Sequence, residues 1–385
     1  MLAALFALLL AGCQSIIPRG APSSQPAPPV ASTPPTGPTA PVVSPGLPTD
    51  TQRHRVALLV PQSGPDAAVG TSLQNAVMMA LVDSRSERVR ITTYDTGTGA
   101  AAAAQAAIAE GNKLILGPLL ADDVRAVAPI ARAANVPLIS FSNDSSVAGN
   151  GVFLMGFEPG QSVARIVSHA RREGKSRFGA LLPRSTYGDR SAAALRSAVT
   201  AAGGTLVASE VYDRSAAGLS GAARRLGAAG TLDALLLADA SSTAARALPL
   251  LRNAGMGGSP LVLGTELWNN DSSIAAQLPL RGARFASVSD AMFTQMASSY
   301  RQRYGRTPYR IASLGYDAVL LTVRAARDWR VGSVFPQNRL LASDGFGGID
   351  GIFRFDNRGL AIRALEVSEV RANGPVVIDP APTAW

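Results

Sequence analysis

Val56–Val60 is an unbroken apolar run, the pattern of a strand covered on both faces of a sheet. Pro61–Gly64 breaks it, and between Thr71 and Val82 apolar residues return at helical spacing: Leu73, Ala76, Val77, Ala80 and Leu81. The same exchange repeats along the chain. Arg90–Tyr94 reads as a strand, Ala100–Glu110 as an Ala-rich helix, Leu114–Leu116 as a strand, Asp122–Ala134 as a helix and Val136–Phe141 as a strand. A second series follows with helices at Gln161–Arg172, Arg190–Ala202, Leu219–Ala228 and Ala244–Ala254. Its strands are Phe178–Leu182, Thr205–Tyr212, Ala234–Leu237 and Leu261–Leu263. Strands alternating with helices over short loops predict α/β architecture with doubly wound parallel sheets. No linker divides the two series, so they are expected to be two lobes of one unit. Helices near Ala291–Tyr304 and Ala312–Val331 come next, then strands at Gly351–Phe355 and Leu365–Val370 with a turn at Asp356–Gly359.

The amino terminus has a different pattern. Leu2–Ala11 is continuously apolar but far short of the ~20 residues that span a bilayer. It matches the apolar core of a signal peptide. It ends in Leu10-Ala11-Gly12-Cys13, which resembles the lipobox of bacterial lipoproteins, so Cys13, the only cysteine of the chain, is the expected lipidation site. Gln14 follows it. In that resemblance an Asp there marks inner-membrane retention, so the expected address is the periplasmic face of the outer membrane. Residues 14–50 contain eleven prolines, enough to prevent helix, ladder and core alike. This stretch is expected to be an extended tether with a reach on the order of 100 Å at ~3.1 Å per residue.

Composition narrows the chemistry. Hydrophobic residues are 47% of 385 but aromatics only 5%, so the core is expected to be aliphatic. The formal charge is +9, yet the arginines are scattered, with no basic block or basic-aromatic stretch, which argues against a nucleic-acid partner. One cysteine and two histidines without ligand spacing predict no disulfide and no metal site. No G-x-S-x-G, S-x-x-K, H-E-x-x-H or Walker motif occurs, so no catalytic residues and no enzyme activity are expected. Gly97-Thr98-Gly99-Ala100-Ala101-Ala102 fits a dinucleotide fingerprint, but the next strand ends in Gly117-Pro118 instead of an acidic residue, and no cofactor is expected.

Several strings carry a resemblance. Val56-Ala57-Leu58-Leu59-Val60-Pro61-Gln62-Ser63-Gly64, Tyr94-Asp95, Ile115-Leu116-Gly117-Pro118, Val136-Pro137-Leu138-Ile139-Ser140, Tyr187-Gly188, Gly315-Tyr316-Asp317-Ala318 and the run 348–356 resemble, in order, type I periplasmic binding proteins of the branched-chain amino-acid group. The resemblance implies two lobes joined by three crossovers around a cleft. The implied division is 1–12 signal peptide, 13–50 lipidated cysteine and tether, 54–159 first lobe, 160–281 second lobe, 282–335 a return to the first lobe, 336–372 a return to the second, and 373–385 a tail. Within this group the chain is most similar to the penicillin-binding-protein activator lipoproteins, which implies a non-enzymatic role with a peptidoglycan synthase as partner. Better-studied members add an amino-terminal helical domain where this chain has the Pro-rich tether.

Open α/β sheets bind ligands beyond the carboxyl ends of their strands. The candidate cleft residues are therefore Ser63, Gly64, Gly117, Pro118, Leu119, Ser140, Phe141, Ser142, Asn143, Tyr187, Glu266 and Trp268, with Asp317 from the resemblance. Ser140, Ser142 and Asn143 are placed to donate to a carboxylate or amide, and Glu266 to pair with an amine. Equally, the two serines suit local caps and Tyr187 suits hinge packing. Family transporters carry small hydroxyl residues after the Gly-Pro, where this chain has Leu119-Leu120-Ala121. That difference argues against an amino-acid carboxylate. The alternative function that stays open is a solute-binding protein delivering a small polar ligand to an importer.

Overall fold

The computed structural model describes residues 51–269 and 271–385. Cys13, the signal segment and the tether lie outside the described residues. The first lobe begins with β1 (His54–Val60), α1 (Ala67–Asp83), β2 (Val89–Asp95), α2 (Ala100–Ala109), β3 (Leu114–Leu116), α3 (Ala121–Ala133), β4 (Leu138–Ser140) and β5 (Val152–Leu154). Its five strands pair in parallel in the order β2-β1-β3-β4-β5. The apolar run of β1 is buried on both faces. Val56, Leu58 and Val60 pack toward α1, while Ala57 and Leu59 face α2 and α3. The period-2 pleat divides one hydrophobic run between two cores.

The second lobe holds α4 (Pro159–Arg172), β6 (Arg177–Pro183), α5 (Thr186–Ala201), β7 (Thr205–Tyr212), α6 (Ala216–Gly227), β8 (Ala234–Leu237), α7 (Ser241–Asn253), β9 (Leu261–Gly264) and β10 (Arg284–Ser287). The chain returns to the first lobe through α8 (Ala291–Tyr304) and α9 (Ala312–Ala325), then β11 (Phe346–Gly348), β12 (Gly351–Phe355) and β13 (Ala361–Arg363). It ends with β14 (Glu366–Arg371) and β15 (Gly374–Asp379). The second sheet runs β15-β14-β10-β9-β8-β6-β7, with the last two strands of the chain added antiparallel at one edge.

Two boundaries differ from the division implied by the sequence. β10 lies inside 282–335 but pairs with β9 and β14 of the second sheet. Conversely β11–β13 form a small antiparallel sheet whose Phe346, Phe353, Phe355 and Ala361 fill the first lobe's core, so most of 336–372 belongs there. Only β14 and β15 return to the second lobe, and β15 makes residues 374–379 a paired strand instead of a tail. Among the described residues, no helix is long and apolar enough to cross a membrane.

The three passages between lobes follow β5, β10 and β13, and they converge on one cluster, in which Arg363 and Asp350 are buried and Phe157, Arg310 and Asp290 half-buried. Phe157 of the first passage lies between two guanidiniums, Arg363 at 5.2 Å and Arg310 at 5.5 Å from its ring centre. Arg310 bonds Asp290 of the second passage at 3.1 Å and Asp350 at 2.7 Å. Arg363, at the third, donates to the Met155 carbonyl at 2.7 Å. Gln161 of α4 grips β13 in both directions, donating to the Ala361 carbonyl at 2.8 Å and accepting from the Arg363 amide at 2.9 Å. These long-range bonds connect all three passages at a single pivot.

Candidate functional site

The carboxyl ends of the strands in both sheets supply the loops between the lobes. On the first lobe the loop after β1 is tied to the end of β2. The Asp95 carboxylate accepts from the Gln62 amide at 2.7 Å, the Ser63 hydroxyl at 2.7 Å and the Gly97 amide at 2.8 Å. Desolvation pushes the Asp95 pKa up, but these donors outweigh it and hold the carboxyl below its ordinary value. Ser63 is thus a strut. The glycine-rich loop at 97–102 is sealed by the chain's own carboxylate, which takes the Gly97 N–H that a pyrophosphate would need.

At the next loop Gly117 has φ +98° and precedes a cis Pro118. A Cβ there would lie 2.1 Å from the Leu59 carbonyl oxygen, so only glycine fits. The Ser140 hydroxyl donates to the Pro118 carbonyl at 2.8 Å and accepts from the Ser142 amide at 3.0 Å. The Ser142 hydroxyl accepts from the Asp144 amide at 3.2 Å. Both serines are buried, and these hydrogen bonds are local, within and between the two loops. Asn143 is exposed at the rim.

On the second lobe Ser185 caps α5 by accepting from the Gly188 amide at 3.2 Å, which sets Tyr187 in the first turn. The Tyr187 hydroxyl lies 2.7 Å from Thr265 Oγ1 and donates to Glu266 at 2.9 Å. Ser162 of α4 donates to the other oxygen of Glu266. Desolvation raises the Glu266 pKa above its ordinary value against these donors, and no cation is paired with it among the described residues. Desolvation also raises that of Tyr187, with the Glu266 charge adding to it. Tyr187, Glu266, Ser162 and Thr265 form one polar cluster.

A further contact joins the lobes. Arg190 of α5 bonds the Asp144 carboxylate at 2.6 Å and donates to the Asn143 carbonyl at 3.3 Å. Arg125 of α3 holds the other oxygen of Asp144 at 3.0 Å. Burial pushes the Asp144 pKa up, yet Ser146 and Arg190 outweigh it and bring the carboxyl down to about 2. The arginine from one lobe and the carboxylate from the other form a latch. The sequence analysis did not find Asp144, Arg190, Ser162 or Thr265. The Asp-Ser-Ser string at 144–146 is a turn signal, which marks a local bend and says nothing of the partner in the other lobe.

Not every candidate faces the cleft. Trp268 is 0% exposed. It packs over Gly264 in the second lobe's core and donates from Nε1 to the Asp239 carbonyl at 2.8 Å. Phe141 and Leu119 are buried in the first lobe's core. Asp317 is buried within α9, accepting from the Ile349 amide at 2.6 Å, and desolvation with the nearby Asp350 charge raises its pKa to about 7. In each case the side chain turns inward because its own element needs it for packing or to satisfy backbone donors. Gly64, with φ +78°, lies in the open loop after β1. His169 is engaged with Asp379 and Arg284 and His54 lies at the opposite end of β1. Among the described residues no group of three or more His, Cys, Asp or Glu side chains is placed to hold a metal ion.

Comparison with known proteins agrees with this architecture. A putative branched-chain amino acid ABC transporter structure from Rhodospirillum rubrum is 22% identical, covers 85% of this chain and 100% of its own, and superposes with a TM-score of 0.73. LivJ from Streptococcus pneumoniae in complex with isoleucine is 18% identical, covering 85% and 100%, with a TM-score of 0.61. Full-length LpoA from Haemophilus influenzae is 17% identical with a TM-score of 0.65, covering 86% of this chain but 59% of LpoA. An uncharacterized protein of Rickettsia prowazekii is 27% identical over 173 residues, which is 44% of this chain and 46% of that protein, so the match spans about half of that relative. The family model described as periplasmic binding protein matches residues 54–375. It takes in both lobes and all three passages between them, and the chain therefore belongs to the periplasmic binding protein family.

Proposed function

We propose that this protein is a lipid-anchored, non-enzymatic module of the outer membrane that activates a peptidoglycan synthase, a penicillin-binding protein, by surface contact. The observation that carries this reading is that polar groups at the cleft are engaged with one another. Ser63 is bound to Asp95, Ser140 to the Pro118 carbonyl, Tyr187 and Ser162 to Glu266, and Arg190 to Asp144. A free amino acid would have to displace these bonds before forming its own. The fold likeness to LpoA and the string Leu10-Ala11-Gly12-Cys13 support the same assignment.

A second reading is favoured by a different observation. The Tyr187–Thr265–Glu266–Ser162 cluster is a ready-made partner for an ammonium group, and several structural neighbours are described as solute- or substrate-binding proteins of ABC transporters. Under it the chain carries a small polar ligand to an importer. One experiment separates the two. The full chain is used to capture partners from envelope membranes and, in parallel, its thermal unfolding is followed with each amino acid. A ligand at a hundredfold excess over Kd adds about 2.7 kcal/mol of stability, a shift of a few degrees. Capture of a peptidoglycan synthase without any shift is expected. A shift with Leu, Ile or Val that is lost in Tyr187→Phe, without such capture, would assign the chain to transport.

A further inference from the structure

A fourth link between the lobes lies in residues 379–385. At one end, Asp379 is fixed to α4 of the second lobe. Arg165 bonds its carboxylate at 2.8 Å and His169 at 2.9 Å, and Arg172 pairs with it too. Arg165 also donates to the Leu365 carbonyl at 2.9 Å, which sets this end beside the third passage. At the other end, Trp385 is seated on the small sheet of the first lobe. The Arg354 guanidinium of β12 lies 4.6 Å from the centre of its ring. The seat is open because Gly345 has no side chain. A Cβ there would stand 2.7 Å from the indole Nε1 and 3.0 Å from Cδ1. Among the described residues the Arg354 side chain has no hydrogen bond or ion pair, so the indole is its partner.

The segment between these ends is held by neither lobe. Residues 380–384 form no helix or strand, and among the described residues none of them makes a hydrogen bond. Pro380 and Pro382 fix two φ angles, so the segment is stiff, and six residues reach about 19 Å at ~3.1 Å each. Such a short strap fixes one more distance between two bodies already joined at the pivot, and so restricts the angle between them. Its ends differ in strength. Asp379 has three charge-assisted or ionic partners. Trp385 has a single face on a guanidinium and is 41% exposed, a weak contact in water, so this end is the one that lets go. We propose that residues 380–385 are a releasable strap across the pivot, and that the Trp385–Arg354 contact sets the balance between two arrangements of the lobes. The strap lies outside the cleft and acts the same way whichever cleft reading is correct.

The test reads the distance between the lobes directly. The full chain carries Cys13→Ala, so that the only thiols are two introduced for spin labels. Gln105→Cys places one on α2 of the first lobe and Ser197→Cys the other on α5 of the second, both at exposed positions. Double electron–electron resonance then gives the interlobe distance distribution. With the strap intact, one dominant population is expected. Trp385→Ala removes the ring and Arg354→Ala removes its seat, one from each side of the same contact. Each is expected to add a second, displaced population. The double variant is expected to match either single one, because the contact can be lost only once. Thermal unfolding of each variant is followed in parallel. If Trp385 serves only to cover the small sheet, the unfolding midpoint falls while the distance distribution stays as it was, and the proposal is overturned. An unchanged distribution in either single variant overturns it as well, as does a double variant whose second population exceeds that of both singles.

Discussion

Asp144 sits between guanidiniums from two lobes, Arg125 at 3.0 Å and Arg190 at 2.6 Å. Arg190→Ala removes one of these charge-assisted bonds and is expected to weaken lobe closure by about 1–3 kcal/mol, read as a larger radius of gyration in small-angle X-ray scattering. The Asp144 pKa is depressed from 3.8 to about 2. Its contribution is therefore complete above the ordinary value and is lost only as pH falls through about 2. Scattering from the native protein should stay constant down to about pH 4, while Asp144→Asn should be expanded throughout. Asp317 has the opposite sign. Its pKa is raised from 3.8 to about 7, so the stability linked to its bound proton is present at low pH and is lost as pH rises through about 7. Asp317→Asn carries no titrating proton, so its melting temperature relative to the native protein should climb between about pH 4 and pH 7 and level off above that. How much of this was legible in the sequence depends on partners. Tyr187 and Glu266 could be selected because strand ends face a cleft. Asp144 could not, because its role depends on Arg190 in the other lobe, which no local pattern connects to it.

Among the elements, the Gly-Pro turn after β3 has the least freedom. The Cβ of Gly117→Ala would meet the Leu59 carbonyl oxygen at 2.1 Å, and φ there is +98°, so the substitution is expected to cost roughly 3 kcal/mol or more, read by urea denaturation. That turn was legible because Gly and Pro mark backbone geometry directly. So was β1, whose apolar run needs burial on two faces. Of the strands that escaped notice, β5, β10, β11 and β13 have three or four residues each, too few for a period to register, while β15, with six, opens on Gly374-Pro375, a pair that reads as a turn. They exist because neighbouring strands offer a free edge, as β13 shows by pairing with β12. Trp268 misled for a related reason. A large aromatic just beyond a strand end resembles a ligand wall, yet Gly264 leaves a hollow in its own lobe that the indole fills.

For the whole molecule, the last strand has an unexpected importance. Asp379 at the end of β15 bonds Arg165 at 2.8 Å and His169 at 2.9 Å, and pairs with Arg172 as well. The hydrogen bond from Arg165, working against desolvation, with His169 and the charges of Arg165 and Arg172 adding, holds its carboxyl far below the ordinary range. Asp379→Asn is expected to cost about 1–3 kcal/mol, a melting point lower by several degrees, although a sequence reading assigns this residue to a loose end. The consequence concerns timing. The first lobe needs α9 and β11–β13 to close its core and α8 to cover α1, and the second needs β14 and β15. A chain that emerges amino terminus first, from a ribosome or from a secretion channel, cannot complete either lobe until nearly all of it has been delivered. Until then its early strands stay unsatisfied and available to chaperones. The interleaving that forms the pivot therefore also postpones folding to the end of synthesis or passage, which keeps the polypeptide threadable while it is in transit.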